Sequence, residues 1–477
     1  MPAHRHNLLV LSDVHLGSDL VQHSQPGAPT RSASSRRRDR DLAALLDWYA
    51  ARPEGGHPWR LVIAGDLVDF VGMSVSSPGG TLVTAPNPDE EVHGLGSAVD
   101  HTLAKLALVA EHHREVFAAL ARFVASGNSL VVVRGNHDVD LHWEPVQAAF
   151  RDILVGHGAP AGSIELVDWF YYEEGVVFVE HGHQYDDYCS YEHVLHPVVP
   201  SDPSRSARSL SDILLRYVVR PTRGMRETGH DTASAIDYLR FGIRLGARGI
   251  LQLGRRFVLA VATLLGVWHD HMSDAALWVR KEHERKMAML AEARQLSLVK
   301  LQALASLQRP PITKSVLRLL AGVMLDRVAV AVVATLALVW LLVARWTPLL
   351  GVTAGAGLAG LTTLGWLWRR ARGDIDASAA LRERAARVGS VFPAAFVVMG
   401  HTHLPELRPS GADSSYVNVG AWAEEEVDEG ELTPLPATRT HLVVRLVDGR
   451  PSAALLAWDA DAPRHVLASA SHDHPDR

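Results

Sequence analysis

Cysteine is almost absent from this 477-residue chain, which has Cys189 alone. A single thiol excludes an intramolecular disulfide and a cysteine-built metal knuckle, and it suits a reducing compartment. The opening stretch, MPAHRHNLLVLSD, lacks a long apolar run ahead of a small-residue cleavage site, so no secretory signal is expected. Aromatic residues make up 6% of the chain. Few of them interleave with its Arg-rich loops, which argues against a nucleic-acid partner despite the basic charge there.

What is present divides by charge. Between Tyr191 and Ser390 there are 28 Lys and Arg against 15 Asp and Glu, whereas the rest of the chain has 19 against 38. A basic middle between acidic flanks points to two environments, and an anionic lipid surface would gain about 1 kcal/mol per well-placed cation.

The flanks read as strands and helices in alternation. NLLVLSD, RLVIAGD, SLVVVRGN and GVVFVEHG are short, β-branched and almost continuously apolar, the pattern of strands buried on both faces. Helical periodicity runs from Arg40 to Ala51, and from Ser97, a plausible N-cap, to Val124. Strand patterns return in AFVVMGHTH and YVNVG, and a hairpin is expected around Asp448-Gly449. The middle is helical almost throughout and is divided by Pro310-Pro311.

Two apolar runs there, Val328–Ala344 and Thr347–Trp368, contain no charge, and Arg and Trp flank them. Their lengths predict a transmembrane hairpin. Lys314, Arg318 and Arg327 precede it and Arg369, Arg370 and Arg372 follow, so both ends are expected in the cytoplasm, with the chain in the inner membrane. Beyond Thr347 at the start of the second run, the spans offer only Thr335, Thr353, Thr362 and Thr363 as polar groups, which disfavours a transporter or channel. GAGLAG, at Gly355 to Gly360, copies a dinucleotide fingerprint but follows no strand, so helix packing explains it better. A shorter run, Phe257 to Trp268, is too short to span and suits either an interfacial helix or a core helix.

Chemistry concentrates where the strand-like runs end. The motifs are SDVHLG with Asp13 and His15, AGDLVD with Asp66 and Asp69, RGNHD with Asn136, His137 and Asp138, EHGH with His181 and His183, and MGHTH with His401 and His403. Each alone reads as a turn, a cap or a structural histidine. Together, after successive strands, they gather oxygen and nitrogen donors at one sheet rim, the donor set of Mn²⁺, Fe or Zn²⁺ sites.

In order and composition these motifs resemble the signature of the calcineurin-like metallophosphoesterases, over Asn7 to about Tyr191 and about Phe392 to Trp458. The resemblance implies an α/β fold, a layered β-sandwich flanked by helices, carrying a large helical insert with the transmembrane hairpin. Residues 1–190 and 391–477 would be the two parts of the phosphoesterase domain, and 191–390 the insert. It further implies two divalent metal ions, manganese first, with Fe, Zn, Ni or Co as alternatives. Asp13, His15 and His403 would hold one, Asn136, His181 and His401 the other, and Asp66 would bridge them. His137 would face the substrate phosphate with Asp138 orienting its imidazole. Asp69, His183 and Asn418 would support these residues.

Part of the pattern is also similar to the UDP-2,3-diacylglucosamine hydrolases, which carry a helical insertion at the corresponding place, although they usually have Arg where this chain has His137. The expected function is hydrolysis of a phosphodiester or pyrophosphate by a hydroxide between two cations, which clamp the phosphate and acidify a shared water. The substrate would be a lipid-linked phosphoester presented at the membrane, or a soluble phosphoester met by a merely tethered enzyme. A non-catalytic membrane sensor or scaffold is the reading from another class.

Overall fold

The structure is a computed structural model that describes residues 6–21, 33–77, 82–222, 235–322, 357, 360, 376–411, 413–423, 439–459 and 465–471. Apart from residues 357 and 360, the expected hairpin over 328–368 lies outside the described residues.

The first parallel set of strands is β1 (Asn7–Leu11), β2 (Trp59–Ala64), β3 (Ser129–Val133) and β4 (Ile164–Val167). Next come β5 (Phe170–Glu173), β6 (Val177–Glu180) and a short hairpin of β7 (Val198–Val199) and β8 (Asp202–Ser206). Later strands are β9 (Phe396–Met399), β10 (Glu406–Pro409), β11 (Ser415–Asn418), β12 (Thr440–Val447), β13 (Arg450–Ala457) and β14 (His465–Ser471). They form a seven-stranded sheet ordered β14-β13-β12-β1-β2-β3-β4 and a five-stranded sheet ordered β10-β11-β9-β6-β5.

Helices fill the intervals. They are α1 (Ala33–Ala50), α2 (Pro88–His93), α3 (Val99–His112), α4 (Arg114–Ala125), α5 (Glu144–Gly156), α6 (Leu210–Leu214), α7 (Ala235–His271), α8 (Asp274–Ala293), α9 (Leu298–Leu307), α10 (Val316–Gly322) and α11 (Ala377–Val391).

Period-two alternation sorts each strand between two cores. Leu8, Val10, Val62, Ala64, Val131 and Val133 face Val177, Val179, Phe396, Val398 and Val417 across the two sheets. The residues between them, Leu9, Leu11, Leu61, Ile63, Leu130 and Val132, pack under α1, α3, α4 and α5. On the other side, Phe178, Val397 and Met399 meet α8, α9 and α11. Each fully buried Leu, Ile or Val contributes about 1.5–3 kcal/mol. The layered sandwich flanked by helices is the arrangement the sequence leads one to expect.

Three local expectations change. The helix read from Ser97 to Val124 is two helices, broken at His113 and starting after Ala98. The break has a side-chain cause: buried His113 receives the Gly17 N–H at Nε2 (2.9 Å) and lies 2.8 Å from Asp39 through Nδ1. The mainly helical middle also contains the β7–β8 hairpin. The apolar run of Phe257 to Trp268 belongs to a longer stretch, Gly246–His271, which is 26 residues long and begins at a kink. By length and composition alone, it is the one helix among the described residues suited to crossing a membrane. One face, with Ala260 and Leu264, is core against Leu210, Ile213 and Val218. The other exposes Ile250, Leu251, Val258 and Leu259.

The Asp448-Gly449 turn forms as expected. Val447 pairs with Arg450, and both turn residues have positive φ, at 52° and 76°.

Candidate metal centre

Parallel pairing puts the C-terminal ends of β1, β2 and β3 on one rim, and β6 and β9 run parallel to each other in the facing sheet. Every candidate ligand follows one of these five ends: Asp13 and His15 after β1, Asp66 after β2, Asn136 after β3, His181 after β6, His401 and His403 after β9. The rims of the two sheets meet there. His403 Nε2 lies 3.1 Å from Asp13 Oδ1, and His181 Nε2 lies 3.1 Å from Asp66 Oδ2.

Two ligand sets overlap. Ligand atoms of Asp13, His15 and His403 lie within 4.8 Å of one another, as do those of Asp13, Asp66 and His181. Asn136 Oδ1 joins the second set, 3.1 Å from His181 Nε2. Asp66 Oδ2 stands between the sets, 3.8 Å from His15 Nε2 and 3.1 Å from His181 Nε2. His401 is placed differently. Its ring centroid is 5.3 Å from that of His181, and its Nε2 lies 3.1 Å from Asp186 Oδ2. A carboxylate on one ring nitrogen leaves the other, Nδ1, as the ligand atom, a common arrangement around metal-bound histidines.

The donor set fits a divalent cation on several counts. Nδ1 of His181 donates to the Ala64 carbonyl (2.8 Å), so its Nε2 lone pair points at the oxygens of Asp66 and Asn136. Burial alone would lower the His181 pKa, but the charges of Asp66 and Asp13 outweigh it and raise it to about 9. Burial likewise pushes Asp13 up, yet His403 and His181 hold it well below the usual carboxylate range. His15 Nε2 is buried with no hydrogen-bond partner among the described residues.

The backbone is also strained where it matters. Asp13, His15, Asp66, His401 and His403 all have φ between 50° and 69°, a conformation that costs a non-glycine residue energy and clusters at functional sites.

Supporting groups fix the loops. Asn418 donates to the Gly400 carbonyl (2.7 Å) and to Thr402 Oγ1 (2.9 Å), bracing the turn that carries His401 and His403. A Cβ on Gly135 would come 2.1 Å from Asp66 Oδ1, so only glycine fits beside that carboxylate. His183 is buried next to His181, and burial with the neighbouring imidazoles holds its pKa well down.

Asp138 does not orient His137. Its Oδ2 accepts the Leu67 N–H (2.8 Å) and its Oδ1 the Gly135 N–H (2.6 Å), so it ties two loops together. Burial and the charge of Asp66 raise it to about 7. The carboxylate on His137 is Asp69, with Oδ1 2.7 Å from Nδ1. Sequence reasoning also missed Asp186, Arg220, which reaches Asp69 Oδ2 (2.9 Å), and Tyr191, whose hydroxyl lies 3.1 Å from the Asn136 carbonyl. No motif flags them, because each is distant in sequence from the residue it touches.

Residues 6–231 match the family model of the calcineurin-like phosphoesterases. The match supports a metal-dependent phosphoesterase, and the matched family uses divalent metals. No protein with a curated description matches the chain. The matched segment ends before His401 and His403, and pairing of β9 with β6 carries those two histidines to the same rim as the matched motifs.

Proposed function

We propose that this chain is a membrane-anchored phosphoesterase that uses two divalent cations to hydrolyse a phosphodiester or pyrophosphate bond. One observation carries the reading: Asp66 Oδ2 lies 3.8 Å from His15 Nε2 and 3.1 Å from His181 Nε2, beside two ligand sets that share Asp13. In this reading Asp13, His15 and His403 hold one cation, Asn136, His181 and His401 the other, and Asp66 serves both. Cations bound there, Mn²⁺ first among the candidates, would supply charge against the phosphate oxygens and a more acidic water.

The chain's own residues handle position and protons. Asp69 occupies Nδ1 of His137, so the other ring nitrogen is the one directed away from Asp69. That nitrogen gives its proton to the departing oxygen as the P–O bond breaks and the water oxygen bonds to phosphorus. Such general acid catalysis contributes roughly 10²–10⁴-fold.

The membrane part rests on composition and exposure. Gly246–His271 exposes much of its apolar surface, and the two uncharged runs at 328–344 and 347–368 follow it in the sequence. With both flanks of those runs basic, the phosphoesterase parts lie on the cytoplasmic side. A lipid-linked phosphoester would then reach the rim without leaving the bilayer. Residues 1–190 and 391–477 are the enzyme in this scheme, and 191–390 is the insert that brings it to the surface. The second reading, a tethered enzyme for soluble phosphoesters, keeps the same chemistry.

The test uses the full chain in detergent, loaded with Mn²⁺, against an aryl phosphodiester, an aryl phosphomonoester and a UDP-linked lipid, with Asp66→Asn alongside. Metal-dependent turnover that the substitution removes is the expected result, with the lipid preferred. Equal turnover of all three favours the soluble reading. Absence of metal binding overturns the enzyme.

A further inference from the structure

Among groups the proposed reaction does not use, Arg220 has the most specific placement. It ends a π-helical turn, Leu215–Val219, that follows α6. π-Turns of this kind are frequent at functional sites. The guanidinium extends from the helical middle into the rim. Nη2 donates to Asp69 Oδ2 at 2.9 Å, and Nη1 donates to the Ser18 carbonyl at 3.0 Å. One side chain thus joins the loop after β1 to the loop after β2.

Asp69 is fully buried, and its two oxygens are divided between partners. Oδ1 receives the Gly72 N–H (2.7 Å) and faces His137 Nδ1 (2.7 Å), while Oδ2 receives Arg220. The space is cut to this pair. A Cβ on Gly72 would lie 2.2 Å from Asp69 Oδ2 and 2.6 Å from Arg220 Nη2. An aspartate carboxylate rotates about a broad, soft torsion. Pinning Oδ2 therefore decides where Oδ1 points, and with it the plane of the His137 ring.

The turn bearing Arg220 is itself held from two sides. Toward the phosphoesterase core, Arg216 donates to the Gly94 carbonyl (2.7 Å) and the Tyr217 hydroxyl to Asp89 (2.8 Å). Away from it, Val218 and Tyr217 pack on Ala260 and Leu264 of α7, and Arg256 donates to Thr222 Oγ1 at 3.0 Å. The helix with the exposed apolar face is thus in contact with the turn that reaches His137 through Asp69.

We propose that Arg220 is a positioning residue supplied by the helical middle. It locks the Asp69 carboxylate so that Asp69 aims His137 at the leaving oxygen, and the seating of α7 is thereby felt at the reaction. The inference rests on the proposed phosphoesterase reading, with His137 as the proton donor.

The experiment compares Arg220→Ala, Arg220→Lys and Arg220→Gln with wild type as full-length, Mn²⁺-loaded protein on aryl phosphodiesters. Leaving groups run from 4-nitrophenol, which departs without a proton, to phenol, which needs one. Metal content and unfolding temperature are measured for each. Arg220→Ala is expected to lose about 10- to 100-fold in kcat on the phenyl ester, part of the general-acid contribution. Its loss on the nitrophenyl ester is expected to be under about threefold, at unchanged metal content. Lysine keeps the charge but cannot hold both Ser18 and Asp69, so it recovers part of the loss, while glutamine recovers less.

Equal losses on all leaving groups would overturn the proposal, since binding of phosphate or general damage acts on every ester alike. So would wild-type rates throughout. Should the alanine variant fail to fold, the lysine and glutamine variants decide by the same criterion. His137→Ala separates the two levels of the argument. If it shows no dependence on leaving group, the proton-donor reading fails; if it does and Arg220 variants do not, only the role of Arg220 fails.

Discussion

The Oδ1 oxygen of Asp69 lies 2.7 Å from Nδ1 of His137, and the neighbouring carboxylate of Asp138 is turned away toward the N–H groups of Gly135 and Leu67. The two carboxylates should therefore fail differently. Asp69→Asn leaves the backbone bonds of Asp138 intact and is expected to lower kcat about tenfold or more, within the range of a general-acid contribution. Asp138→Ala leaves two buried N–H groups without acceptors and should cost about 1–3 kcal/mol for each. Urea unfolding beside steady-state kinetics distinguishes them: a stability loss confined to Asp69→Asn would reverse the assignment.

Metal removal should weaken the fold. The buried carboxylates of Asp13 and Asp66 stand against each other at the rim, and a bound cation stabilises only the folded state. At a free metal concentration of 100 times Kd the gain is about 2.7 kcal/mol. Mn²⁺ is expected to raise the unfolding temperature of chelator-treated protein. Asp66→Asn should lose most of that rise, and an undiminished rise would place the metal elsewhere.

Gly135→Ala tests how tightly the Asp66 carboxylate is boxed in. The new methyl would meet Asp66 Oδ1 at 2.1 Å and Asp66 N at 2.7 Å. Since shifts of about 1 Å at a reacting centre can cost 10²-fold, activity should fall by about that factor or more. Bound metal, measured by elemental analysis, should fall with it. Retention of both would mean that Asp66 has more freedom than its surroundings allow.

Acid should loosen the helical middle before it touches the sheets. His283 on α8 is buried and receives the Leu195 N–H at Nδ1 (3.3 Å), and burial, with His193 nearby, lowers it to about 4. Its folded pKa lies below the unfolded value of about 6.5, so the unfolded chain takes the proton first. The stability tied to neutral His283 is complete above about pH 6.5 and is lost as pH falls toward 4, by about 3 kcal/mol at most. His283→Asn, which keeps an acceptor but does not titrate, should flatten the acid limb of a plot of stability against pH. An unchanged limb would assign it to other groups.

The sequence made the rim residues legible because each motif ends a strand that is apolar on both faces, as the fully buried runs of β1 and β6 are. Parallel neighbours then bring Asp13, Asp66 and Asn136 together without further information. Side-chain direction was not legible. Asp138 adjoins His137 in the chain, yet a loop returning from Leu67 claims its oxygens. Periodicity ran unbroken through His113, whose ring is held by Asp39 and Gly17 from remote segments. Arg220 was one of many arginines in a basic stretch, and nothing local marks the one that reaches Asp69. Arg255 and Arg256 interrupt the apolar run and hid the length of α7, although Arg256 is engaged with Thr222.

The strands on either side of the helical middle are immediate partners: β6 lies parallel to β9, with Val177 opposite Phe396 and Val179 opposite Val398. To the sheet, everything between Glu180 and Phe396 is one crossover. Closing such a connection costs only about 0.6 kcal/mol more for each doubling of its length. Outside His181, Asp186 and the helices that cover the second sheet, the crossover can therefore grow, shrink or be exchanged with little effect on the pairing that gathers the ligands, provided an arginine still returns to Asp69. A graft at this seam would change where the enzyme works while leaving its chemistry in place.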